Sequence, residues 1–272
     1  MPRGDLLPRV LVAPGAVDDA RGLVRFGTLD GLLVPVGPVV GEPERVGPAV
    51  VHGAGPGGLE HGSAPGVGLL TAVDRLRWCA TRGLRAVVAV RGTVHGPREP
   101  AVLAGRLCRG LEGDAVAAVE VDLREADDQH ALRVLARLRE ETPRDLLLLA
   151  RLSALQPDLV GVARGAVAGG AGGVVVCGSV PLDEGRWWSG PSTGAVSRAG
   201  VRRLASAARE QRWPVVPLVA AGGVHDLASA RSALAAGATS VQLGTALWAD
   251  PTLLWTIAHD LERLPEPPEE NP

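Results

Sequence analysis

Short aliphatic runs recur along the chain, separated by stretches in which apolar residues return every three to four positions. The runs cover residues 10–13, 31–36, 86–90, 116–123, 146–152, 174–177, 215–220 and 240–244. They are rich in Val and Leu and hardly alternate with polar residues, the pattern of parallel strands covered on both faces. Between them, residues 69–80 put Leu69, Val73, Leu76 and Ala80 on one helical face, and residues 129–141 do the same with Leu132, Leu135 and Leu138. Residues 157–168, 197–210, 227–236 and 251–264 read as further helices. Asp250 before Pro251 has the form of an N-cap followed by proline at the first helical position. Gly237 after Ala236 has the form of a C-terminal cap. An extra apolar run, residues 48–52, lies between the second and third strands.

Eight strands alternating with helices over this length predict an α/β fold of the (β/α)8, or TIM barrel, type. A doubly wound open sheet is the alternative. No linker divides the chain, so residues 1–264 form one expected domain. The tail at 265–272, PEPPEENP, is acidic and proline-rich and is expected to be disordered. Hydrophobic residues make up 46% of the 272, enough for a large core, and a net charge of -2 argues against a general nucleic-acid binder. No run of about 18 apolar residues suggests a membrane span. The opening MPRGDLLPRV has no apolar stretch of signal-peptide length, so the expected location is the cytoplasm. The chain has no Lys and no Tyr, and its one Asn is Asn271, which removes Schiff-base lysine and core-asparagine chemistry. Cys79, Cys108 and Cys177 lack metal-site spacing, and no metal is expected.

The strongest chemical signal lies near the end. Ala221-Gly222-Gly223 closes the seventh strand and Gly244-Thr245 closes the eighth. In barrels the loops after these two strands often hold a phosphate, because glycines let backbone N–H groups approach it and a helix N-terminus adds its dipole. The plainer reading is that these glycines only make tight turns. The phosphate reading narrows the ligand to something such as FMN or a sugar phosphate.

The segment PLVAAGGVHDLASARSALAAGATSVQLGTALWADPTLLWTIAHDLERL resembles the C-terminal third of class 1 dihydroorotate dehydrogenases, nearest the class 1B catalytic subunit. Upstream, Trp188-Ser189-Gly190-Pro191 resembles that family's Gly-Leu-Ser-Gly-Pro, and Leu11-Val12-Ala13-Pro14-Gly15 resembles its opening Ala-Ser-Gly strand. Pro65-Gly66 is similar to the Asn-Pro-Gly of its substrate loop, Val119-Glu120-Val121-Asp122 to Glu-Leu-Asn, and Leu149-Ala150-Arg151-Leu152-Ser153 to a Lys-Leu-Ser strand end. The likeness is specific in the last 90 or so residues and thin before them. It implies FMN as cofactor, with its phosphate on Ala221, Gly222, Gly223, Gly244 and Thr245, and with Ala13, Gly15, Arg151, Ser189 and Gly190 near the flavin. It also implies a homodimer and, for class 1B, an electron-transfer subunit as partners.

The departures fall on the chemistry. The family's pyrimidine-binding asparagines are missing, and its two flavin-side lysines become Val36 and Arg151. The loop that carries the family's base cysteine reads Leu123-Arg124-Glu125-Ala126-Asp127-Asp128-Gln129, with no Cys, Ser or Thr. Glu125 or Asp127 is a base only if correctly placed; otherwise Asp127 or Asp128 caps the next helix. His52 and His61 flank the glycine-rich stretch 53–58, which is able to cover the mouth, and His225 follows the Gly-Gly turn. The catalytic residues are therefore unknown at this level. Three readings stand: an FMN-binding oxidoreductase with an altered substrate site, probing something other than dihydroorotate; an inactive paralogue (pseudoenzyme) that binds or scaffolds; and a flavin-free barrel for a sugar phosphate.

Overall fold

The computed structural model describes residues 7–17, 19–44, 51–55, 57–91 and 98–263. The expected tail at 265–272 and most of the run at 48–52 lie outside them. Eight parallel strands form one sheet: β1 (Val10–Val12), β2 (Leu33–Val39), β5 (Arg85–Arg91), β6 (Val116–Asp122), β7 (Leu147–Ser153), β8 (Gly173–Cys177), β11 (Leu218–Ala221) and β12 (Ser240–Leu243). Their order is β1-β12-β11-β8-β7-β6-β5-β2, so the sheet curls until its two edge strands come together. The chain is a nearly closed (β/α)8 barrel.

Alternation along each strand sorts side chains into two cores. Leu11, Val87, Ala118, Leu149, Val175 and Val219 point inward and form a small apolar plug. Their neighbours Val10, Val88, Val119, Leu148, Val174 and Ala220 point outward beneath the helices. These are α1 (Leu69–Ala80), α2 (Arg98–Arg109), α3 (Asp128–Glu141), α4 (Leu159–Ala168), α5 (Gly194–Arg209), α6 (Leu227–Ala235) and α8 (Leu253–Glu262), with a short α7 (Ala246–Ala249). Leu76, Leu107, Leu135, Leu138, Leu204, Leu254 and Ile257 are fully buried on these inner faces. Burying such a side chain contributes about 1.5–3 kcal/mol, which is why the three-to-four spacing suffices to dock each helix.

Several boundaries move. The seventh strand starts at Leu218 rather than 215, because Val215 stands exposed after Pro214. Asp250 is not the cap of the last long helix; it accepts from Thr252 N, and α8 begins at Leu253. Asp127 does cap α3, accepting from His130 N at 2.6 Å, and Gly237 takes φ +108° just past α6. Helix α2 was not foreseen. Its sequence carries Pro100 and Gly105, which blur the periodicity. Pro100 is tolerated in the first turn, where its N–H would lack a partner. Gly105 allows close packing, since a Cβ there would lie 2.8 Å from Glu141 O. A second sheet was also unforeseen: β3 (Val51–Gly55), β4 (Gly58–Gly62), β9 (Val180–Pro181) and β10 (Arg186–Ser189) pair antiparallel in the order β3-β4-β10-β9. These strands are short, β3 and β4 are glycine-rich, and none carries clear apolar–polar alternation in sequence. Their loops line the mouth at the C-terminal ends of the barrel strands.

Candidate functional site

The register brings the strand ends level. Arg91 lies opposite Asp122, Asp122 opposite Arg151, Ser153 opposite Cys177, and Ala221 opposite both Cys177 and Gln242. Above the apolar plug the inward positions turn polar, and above these opens a cavity of about 540 Å³. That lies within the usual small-molecule range of about 300–1,000 Å³.

Its floor is a closed polar cluster. Arg151 Nη1 donates to Glu120 Oε1 at 2.6 Å and to Gln242 Oε1 at 3.0 Å. Gln242 Nε2 donates to Glu120 Oε2 at 2.7 Å. Glu120 and Gln242 are each only 2% exposed, so each polar atom depends on the other two residues. Burial opposes the charge of Arg151, but the negative groups around it, Glu120 among them, hold its pKa above the ordinary value. Arg151 Nη2 also lies 3.8 Å from Cys177 Sγ. Burial works against a Cys177 thiolate, yet Arg151, Arg124 and the backbone N–H of Ser179 outweigh it and lower the thiol's pKa.

One side wall is a second ion pair. Arg124 grips Asp122 through Nε (2.9 and 3.1 Å) and Nη2 (2.6 Å), and its guanidinium stacks 3.8 Å from the centre of the Trp187 ring. Burial raises the Asp122 pKa, but Arg124 more than reverses this and keeps the carboxyl below its usual range. Trp187 is buried and donates to Ser63 Oγ at 3.1 Å, just past β4, while its stacking on Arg124 joins the small sheet to the barrel. Beside Trp187, on the same small sheet, His61 in β4 meets Ser189 at the end of β10. Its Nε2 lies 2.9 Å from Ser189 Oγ, and Ser189 Oγ lies 2.8 Å from Ser179 Oγ. His61 Nδ1 bonds Gly62 O at 2.8 Å, and the ring stands edge-on to Trp248. Burial holds the His61 pKa below its ordinary value.

The rim is built from the two glycine turns. Gly222 and Gly223 take φ +116° and +71°, a region closed to most side chains. A Cβ on Gly223 would lie 2.2 Å from Gly194 N, so this turn packs directly on the loop after β10. Among the described residues, no hydrogen bond engages the backbone N–H groups of Gly222, Gly223, Gly244 or Thr245. His225 turns its Nδ1 to Gly223 O at 2.8 Å, while Asp226 and Ser229 form the capping box that starts α6.

Ala13, Gly15, Arg151, Ser189, Gly190, Ala221, Gly222, Gly223, Gly244 and Thr245 all line this one cavity. Glu125 and Asp127 do not; they border a separate hollow on the far side of Arg124, and Asp127 is occupied as a helix cap. Trp188 covers Gly58, where a Cβ would lie 2.5 Å from the ring. The sequence reading missed the partnership of Glu120 and Gln242 with Arg151. The available signal was a charged residue inside an otherwise apolar strand, which demands a buried partner. Against models of known families and against curated proteins, the chain finds no match.

Proposed function

We propose that the barrel binds FMN at this mouth and acts as a dihydroorotate dehydrogenase-like oxidoreductase on a substrate other than dihydroorotate. One observation carries the reading: both glycine turns, the Ala13–Gly15 turn, Ser189-Gly190 and Arg151 converge on a single cavity at the strand ends. The residues present fit the group. Gly222, Gly223 and Gly244 offer unengaged N–H groups where a Cβ-free backbone suits a phosphate, and Thr245 adds its own N–H. At the floor, Arg151 offers guanidinium N–H groups toward a ring that gains negative charge. When bound, FMN supplies a two-electron acceptor. The chain's own contribution is to orient the substrate between Arg124, Trp187 and His61, and to keep the floor dry and rigid through the Glu120–Arg151–Gln242 cluster.

That same cluster favours a second reading, a non-catalytic binder. Arg151 is already neutralised by Glu120, so it does not reproduce a free lysine beside the ligand. The test is the visible absorption spectrum of the purified protein after incubation with FMN and desalting. Retained flavin bands, lost in Gly223→Ala, are the expected result. A colourless protein after reconstitution overturns the flavin reading. Retained flavin that no candidate substrate reduces favours the binder.

A further inference from the structure

The proposed reading lacks a base, because the loop at 123–129 supplies none to the cavity. The small sheet does. We propose that His61 and Ser189 are the reactive pair of this site, a general base and the hydroxyl it activates. This rests on the same cavity as the reading above and gives it its proton acceptor.

With the imidazole neutral, the hydrogen-bond directions follow from the groups it meets. Gly62 O can only accept, so it takes the proton on Nδ1 and leaves Nε2 as the acceptor. Ser189 Oγ–H then donates to Nε2 at 2.9 Å. With its proton committed, Ser189 Oγ accepts from Ser179 Oγ–H at 2.8 Å. A hydroxyl oxygen has two lone pairs, so one remains for a ligand. His61, Ser179 and Ser189 all line the cavity. The Gly62 carbonyl and the edge of Trp248, 5.3 Å between ring centres, hold the imidazole in place. This is a hydroxyl, a base and a group that orients the base, brought together from β4, β10 and the loop after β8.

The step balances without a further reactant. A ligand X–H gives its proton to Ser189 Oγ while the Oγ proton passes to His61 Nε2. The electron pair of the broken bond stays on the ligand, and the imidazolium keeps its other proton on Nδ1, donated to Gly62 O. A ligand whose X–H bond is acidified by a neighbouring carbonyl is the class this suits.

Activation of the hydroxyl is measured without flavin or substrate, using diisopropyl fluorophosphate. Ser189 Oγ forms the O–P bond, fluoride departs, and the proton goes to His61 Nε2. Mass mapping should place the adduct on Ser189. In folded His61→Gln, labelling should slow about 10²-fold or more, and added imidazole should restore it in His61→Ala. Wild-type protein without an adduct on Ser189 overturns the proposal, whether or not a variant folds; so does equal labelling of His61→Gln. Flavin retained by a protein whose Ser189 stays unlabelled removes the pair alone. Ser189 labelled in a protein that never holds flavin removes the cofactor and leaves the pair.

Discussion

Two polar clusters share the barrel mouth and differ in one respect. Glu120, Arg151 and Gln242 close on themselves, and the carboxylate and amide are spent within the triangle. His61, Ser189 and Ser179 form an open chain with an acceptor position left over. The closed cluster sits on the strands, at the level where the barrel interior changes from apolar to polar. The open chain sits on the small sheet and its loop. A saturated cluster gives shape and costs dearly when broken; an unsaturated one gives chemistry and costs little stability.

The largest effect should come from breaking the closed cluster. Glu120→Leu leaves the Arg151 guanidinium buried without its counter-charge, and a loss of about 3–5 kcal/mol is expected in urea unfolding. Replacing the whole cluster, as Glu120→Leu/Arg151→Met/Gln242→Leu, should recover most of that loss, since no polar atom is then stranded. If the triple variant is no more stable than the single one, the cluster contributes more than mutual satisfaction. Next comes Gly223→Ala. Its left-handed φ and the 2.2 Å approach to Gly194 N should cost about 2 kcal/mol or more and distort the turn after β11. Gly244→Ala meets only Ala13 Cβ at 3.8 Å and should change stability by no more than about 0.5 kcal/mol. Equal behaviour of the two glycines would show that space is not what distinguishes them. Asp127→Ala removes the α3 cap and should cost about 1 kcal/mol in the same assay, with flavin retention unchanged.

The contrast also shows what the sequence makes legible. Fully buried strands such as Gly173–Cys177 and amphipathic helices such as α3 carry long, unbroken periods, because each side faces one environment throughout. The Gly222-Gly223 turn was readable because a positive φ restricts the residue type. Helix α2 and the small sheet were not, since Pro100, Gly105 and the 53–58 glycines serve contacts made by distant segments. His61 and Ser189 are 128 positions apart and meet through one antiparallel ladder, with Trp187 opposite His61 and Ser189 opposite Leu59. Nothing local to either residue announces that meeting. The Glu120–Gln242 contact spans 122 positions; a Glu in an apolar strand asks for a buried partner, but nothing local says that the partner is Gln242.

The smallest predicted effect separates the clusters by acid. Burial lowers the folded-state pKa of His61, with Arg124 and His52 adding to the shift and the Gly62 hydrogen bond offsetting part of it. The unfolded chain, with a His pKa of about 6.5, therefore binds the proton before the native state does. Stability should rise with pH from the folded value up to about 6.5 and show no His61 contribution above it. Lowered carboxyls such as Asp122 act further down, below about pH 4. Urea unfolding at about pH 5 and about pH 7.5 reads the difference, and His61→Gln should reduce it. An unchanged pH dependence in that variant would place the titration elsewhere. Protonation removes the Nε2 lone pair that accepts from Ser189, so the open chain is broken in mild acid while Arg151 keeps its partners. Labelling of Ser189 should then fall over the same pH range in which the Glu120–Arg151–Gln242 floor stays intact.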